Sequence, residues 1–273
     1  MFDTSELKGF LSALGATEEP FGMMYSDVEP DDGIHPKSAA LPTREDEKSG
    51  KVDWPALNSA RSCVIGLIWR ARKKRGVAYF DREHFGCLGG AFYLGYMESQ
   101  LDSIAHYVSS GVPGQMEGEK YLASPQVTRQ FFDTLNPRPA PAKYCVFKPI
   151  SLFQENEDPE LVIFFVRPEV MSGLFTIATF VTDDFEAVKT PFGAGCTAIV
   201  TWPIKYAAEG KLKAVLGGWD PSERKYLGHD ELSLSLPYEM FKNMVEKWRD
   251  SFLTTHTWVS LKSRREKNEE FGR

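Results

Sequence analysis

Two cysteines stand where this chain could do chemistry. The stretches His84-Phe85-Gly86-Cys87-Leu88-Gly89-Gly90 and Pro191-Phe192-Gly193-Ala194-Gly195-Cys196 each deliver a thiol from a glycine-rich turn into the start of a helical segment. At such a start the free backbone N–H groups and the helix dipole favour negative charge, which promotes the thiolate. The thiolate is the form that attacks electrophiles and ligates soft metals. Cys87 is therefore the candidate nucleophile, with His84 or His229 as its base. Cys87, Cys196 and His84 are the candidate metal ligands, and Gly86, Cys87, Gly89, Gly90, Gly193, Gly195 and Cys196 the candidate cofactor-binding residues. Gly89 and Gly90 each cost about 1 kcal/mol of helix stability relative to alanine. Either a ligand or a neighbouring helix needs the space their missing side chains leave. A metal ion or an iron–sulfur centre is the cofactor such thiols could take, although a cubane needs four thiolates and Cys63 and Cys145 read as core residues of apolar strands.

The elements that must position these residues follow from periodicity. Leu7, Phe10, Leu11 and Leu14 predict a short amphipathic helix ending at Gly15, and Phe21 to Tyr25 a strand. Residues 27–51 read as a long surface loop, with His35 a solvated member of it. Cys63 to Trp69 is almost wholly apolar and reads as a central strand, followed by a solvated basic run at Arg70, Arg72, Lys73, Lys74 and Arg75. Leu94, Met97, Leu101, Ile104 and Val108 predict one helix running from the Cys87 turn to about Ser109. One or two helices follow up to Leu135, and Asn136 to Pro141 is a proline-rich connector. Tyr144 to Phe147, Leu161 to Val166 and Leu212 to Leu216 read as strands. Helices are expected from Pro168 to about Ile177, from Cys196 until Pro203 ends or kinks it, and from Tyr238 to Phe252. The charged tail 262–273 reads as frayed.

A chain of 273 residues is ample for one continuous core. Its net charge of −6 opposes nucleic acid and anionic membrane surfaces as partners. No apolar stretch approaches the roughly 18 residues of a membrane span, and the first residues lack a secretory pattern, so the expected location is cytoplasmic. Four scattered cysteines with no Cys-x-x-Cys pair argue against a disulfide framework or a common zinc module. The expected fold is α+β, a mixed sheet with packed helices in a single domain 1–273, with α/β as the alternative. The two glycine-cysteine turns also suggest a duplication, with pseudo-repeat halves 16–135 and 142–252.

Three blocks taken together resemble the uncharacterised family known as domain of unknown function number 169. They are Cys87-Leu88-Gly89-Gly90 with its helix; Gly195-Cys196 with the preceding Arg167-Pro168-Glu169; and Gly217-Gly218 with Arg224, Asp230-Glu231 and Pro237. The resemblance implies a shared fold and cleft and adds Arg224 to the candidate cofactor-binding residues. Ser222-Glu223 stand where the family usually has a small-residue pair. Three functional readings follow. The leading one is a protein binding a small anionic ligand, cofactor or metal between the two glycine-cysteine helix starts. The others are a cysteine-dependent enzyme and a non-catalytic subunit of a homo-oligomer.

Overall fold

The computed structural model describes residues 4–271, the last eight by backbone alone. Nine strands form in chain order: β1 Phe21–Ser26, β2 Ala78–Phe80, β3 Gly111–Val112, β4 Met116–Glu117, β5 Tyr144–Pro149, β6 Leu161–Val166, β7 Val188–Lys189, β8 Ala214–Gly217 and β9 Leu232–Pro237. Seven of them make one sheet in the order β2-β5-β1-β6-β9-β8-β7, while β3 and β4 form a separate small hairpin. Every pairing in the large sheet is antiparallel except β7 with β8. The architecture is thus α+β with a mixed sheet, its helices packed on both faces.

β6 shows why the sheet needs two covers. Its Leu-Val-Ile-Phe-Phe-Val run is buried throughout. Leu161, Ile163 and Phe165 join one apolar cluster and Val162, Phe164 and Val166 the other, as alternating side chains of a central strand must. Helices Thr4–Leu14, Pro168–Thr182 and Tyr238–Lys247 cover the second face. Helices Val64–Lys74, Leu88–Tyr93 and Trp202–Ala208 cover the first, and all candidate chemistry lies on that side.

Five expectations change. The apolar run after Cys63 is a helix, Val64–Lys74, and not a strand. Its first turns are buried on nearly every side, which erases the amphipathic signature, and the basic run is its last turn, capped by Arg75 at φ 50°. Arg72 is not solvated: it bonds Glu231 at 2.6 and 3.1 Å and Glu18 at 2.9 Å, over the Phe165 ring. The long helix after Cys87 breaks into Leu88–Tyr93 and Asp102–Val108. Gly95 between them has φ +82°, with the Arg138 carbonyl 2.3 Å from where a Cβ would be. Pro203 does not stop its helix; a wider π turn at Thr197–Thr201 precedes it and leaves the proline in the first turn of Trp202–Ala208. The charged tail is helical through Phe271, and residues 272–273 lie outside the described ones.

Candidate functional site

Three helical segments point their first residues toward one interior region. Cys63 precedes the helix Val64–Lys74, Cys87 caps Leu88–Tyr93, and Cys196 precedes the π turn. The Cys87 sulfur accepts the Gly90 amide at 3.2 Å. A charge on Cys196 is felt by Cys87 and Cys63, so the two sulfurs singled out from sequence share a neighbourhood with a third. Thr201 Oγ1 donates to the Tyr93 carbonyl at 3.0 Å and ties the two glycine-cysteine segments together. Cys145 lies apart on β5, beside Tyr25.

Two carboxylates from the loop after β8 complete this thiol centre. Asp220 accepts the Gly195 amide at 3.2 Å. Glu223 is 2% exposed, and its Oε1 has no hydrogen-bond partner among the described residues. Burial, with the Asp220 charge added, pushes its carboxyl up to about 7. Gly195 is glycine for this reason: a Cβ there would lie 1.6 Å from Glu223 Oε2. Nothing in the sequence motif announces Glu223, although it occupies the position where the chain departs from the family pattern.

Burial also decides the state of the thiols. It raises Cys87 and Cys196 above the ordinary thiol value and Cys63 to about 11, so all three are protonated at neutral pH. Amide donation by Gly90 and Gly89 works the other way at Cys87 and loses, because a helix of six residues supplies little dipole. Among the described residues no three His, Cys, Asp or Glu side chains are gathered closely enough to hold a metal ion. The set Cys87, Cys196 and His84 is therefore not assembled, and neither is a four-thiolate cluster.

The remaining candidates have structural partners. A Cβ on Gly86, at φ +80°, would meet the Ser62 carbonyl at 2.8 Å; one on Gly90 would meet Val64; one on Gly193 would meet Thr197. Gly89 alone faces nothing closer than the Tyr93 ring at 3.3 Å. Arg224 donates to the carbonyls of Gly218, Gly228, His229 and Glu231, which braces the loop and occupies its guanidinium.

His84 turns away from the sulfurs. Its Nδ1 lies 3.0 and 3.1 Å from the two oxygens of Asp81, whose Oδ1 also accepts the Glu83 and His84 amides at 2.7 Å. Burial opposes ionisation of Asp81, but these donors together hold its carboxyl below the usual range. The His84 ring meets the His35 ring edge-on, with centres 4.6 Å apart, and His35 in turn lies 5.0 Å from Tyr79. His35 is thus fixed, a role that its place in a long loop does not reveal. Ile34 holds it there by exchanging backbone hydrogen bonds with Val77 and Tyr79 beside β2.

Next to this pair lies a cleft of about 340 Å³ between Gly33, Ile34 and His35 on one side and Leu67, Arg70 and Lys74 on the other. The helix that starts at Cys63 supplies the second wall, so thiol centre and cleft share one helix. Its lining holds three basic groups and no carboxylate. Arg72 is committed to Glu231 and Glu18, and Lys73 lies over Trp69, whereas neither Arg70 nor Lys74 has an ion pair or hydrogen bond among the described residues.

The fold and these two centres define an α+β sheet protein with an interior thiol–carboxylate centre beside an open basic cleft. The chain belongs to the family called domain of unknown function 169, described as uncharacterised ArCR, whose model matches residues 10–247 of its 273. No curated protein and no solved structure matches it. No described helix is long and apolar enough to cross a membrane.

Proposed function

We propose that this protein binds a small phosphate-type anion in the cleft between residues 33–35 and the helix Val64–Lys74. The observation that supports it is the pair of uncommitted cations, Arg70 and Lys74, facing His35 across a carboxylate-free lining in a chain of net charge −6. A volume of about 340 Å³ suits a small ligand, and Ile34 and Leu67 give it an apolar floor. The thiol centre is the poorer place for an anion, because the Asp220 carboxylate faces it beside protonated thiols. Titration calorimetry with inorganic phosphate and pyrophosphate at low salt tests the reading. Arg70→Gln and Lys74→Gln should each weaken binding about tenfold, as expected for loss of a charge-assisted hydrogen bond. The paired substitution Cys87→Ser with Cys196→Ser should leave it unchanged. Binding that survives loss of both cations, or no binding to wild type at millimolar anion, sinks it.

A second reading, cysteine-dependent chemistry, is favoured by the unpaired oxygen of Glu223 beside protonated thiols. In it Glu223, poised at about 7, accepts the proton of Cys87 or Cys196. Iodoacetamide labelling of native protein should then rise with pH around 7 and lose that step in Glu223→Gln. Labelling that occurs only after denaturation excludes it.

A further inference from the structure

We propose that His35 and His84 together bind a divalent transition ion of the copper(II) or nickel(II) class at the edge of the basic cleft. The inference goes beyond anion binding and rests on the tautomers the surroundings impose. Nδ1 of His84 faces the Asp81 carboxylate at 3.0 and 3.1 Å, and Nδ1 of His35 faces the Pro36 carbonyl at 2.8 Å. Carbonyl and ionised carboxylate oxygens only accept, so in both rings Nδ1 carries the proton and Nε2 keeps the lone pair. A histidine anchored through Nδ1–H to a carboxylate or carbonyl, with Nε2 free, has the arrangement of a metal ligand with its supporting partner already in place.

The spacing of the rings leaves room for such an ion. An ion about 2.1 Å from each Nε2, with its two bonds about 90° apart, sets the ring centres about 4.5 Å apart. They are 4.6 Å apart here. A bond angle near 90° is the one that tetragonal copper(II) and octahedral nickel(II) prefer, whereas tetrahedral zinc would need the rings further apart. The His84 side chain is 23% exposed and His35 is exposed, so the ion has a path in. Tyr79 does not compete as a ligand, since its hydroxyl is bonded to Glu29 at 2.7 Å. Two imidazoles leave coordination positions to water, or to an anion held by Arg70 and Lys74. Those two cations oppose a bare ion and favour one that carries an anion.

Copper(II) alone, added to the full-length protein without phosphate, is the probe. Calorimetry should give one site, and electron paramagnetic resonance should show two equivalent nitrogen donors. His35→Gln, at a surface position that does not threaten folding, should weaken the site at least tenfold, as should His84→Gln. Asp81→Asn should weaken it about 10- to 100-fold by loosening the His84 ring. The paired substitution Cys87→Ser with Cys196→Ser should change nothing. Sulfur ligation in the spectrum, loss of binding in the thiol variant, or full affinity in His35→Gln overturns the proposal. The two readings fail separately: phosphate without metal tests Arg70 and Lys74, and copper without phosphate tests the imidazoles.

Discussion

The thiol centre and the histidine cleft lie on either side of one short turn, His84 to Cys87, yet they treat polar groups in opposite ways. In the first, Cys196 is 8% exposed and Glu223 2%, and burial holds the thiols in their neutral form and raises the Glu223 carboxyl to about 7. In the second, the polar groups are oriented by partners but left open: Asp81 fixes His84, Pro36 fixes His35, and Arg70 and Lys74 reach solvent. Burial suppresses charge, whereas anchoring with exposure leaves a lone pair or a cation available. Residue type alone therefore misleads about which groups keep a charge or a lone pair available. Cysteines at helix starts attract attention, but here desolvation outweighs the amides that would make them thiolates.

The tightest packing in the thiol centre is at Gly195. Alanine there puts a Cβ within 1.6 Å of Glu223 Oε2 and 2.9 Å of Ile65 in a packed interior. Gly195→Ala should cost about 3 kcal/mol in denaturant unfolding. Adding Glu223→Ala should recover a large part of that loss, since it removes the clashing atoms and the unpaired carboxyl together. Additive losses in the double variant would mean that the glycine answers to something other than Glu223.

A smaller and pH-dependent effect belongs to Glu223 itself. Its carboxyl is raised from 4.5 to about 7 in the folded protein, so folding retains a proton that the unfolded chain has released. The stability tied to that proton is complete below about 4.5 and is lost as the pH rises through about 7. Glu223→Gln carries no such proton. Relative to it, wild type should lose about 2 to 3 kcal/mol between pH 4.5 and pH 8.5. Parallel stability curves for the two proteins would place the carboxylate in contact with water or a cation.

The strands of the sheet were legible where an apolar run leaves no choice, as at Leu161 to Val166 and Tyr144 to Phe147. Legible too were helices with a solvent face, such as Thr4–Leu14 and Tyr238–Lys247. Val64–Lys74 was not, because its first turns, Val64 to Ile68, are buried on every side and carry the same apolar, β-branched run as a central strand. In β9 the Leu-Ser-Leu-Ser-Leu alternation is a strand pattern, but it suggests one solvated face, whereas Ser233 and Ser235 are 2% and 0% exposed and both faces are core. At the site, the two glycine-cysteine turns stand out in the sequence by their shared design, but their distance from each other does not. Glu223 and His35 do not stand out, since the burial of one and the fixing of the other come from partners distant in sequence, Gly195 and Tyr79.

Adjacent glycines supply the finest test. Gly89 and Gly90 look alike in sequence, and each lowers helix stability by about 1 kcal/mol relative to alanine. A Cβ on Gly90 would lie 2.8 Å from Val64 Cγ2 and 3.0 Å from the Phe85 carbonyl, and backbone cannot move aside. Gly90→Ala should therefore destabilise, by about 1 to 2 kcal/mol. A Cβ on Gly89 would meet only the Tyr93 ring, at 3.3 Å, and come within 4.0 Å of the Cys87 sulfur. The ring has to give a few tenths of an ångström, while the helix gains its missing propensity. Gly89→Ala should accordingly stabilise by about 0.5 kcal/mol, read as a small rise in melting temperature. Opposite signs at neighbouring positions would show that packing selects Gly90, and that no contact within the folded chain selects Gly89. A loss of stability in Gly89→Ala would instead make the whole turn a packing device, and would take from the thiol centre the one glycine whose space the fold leaves unfilled.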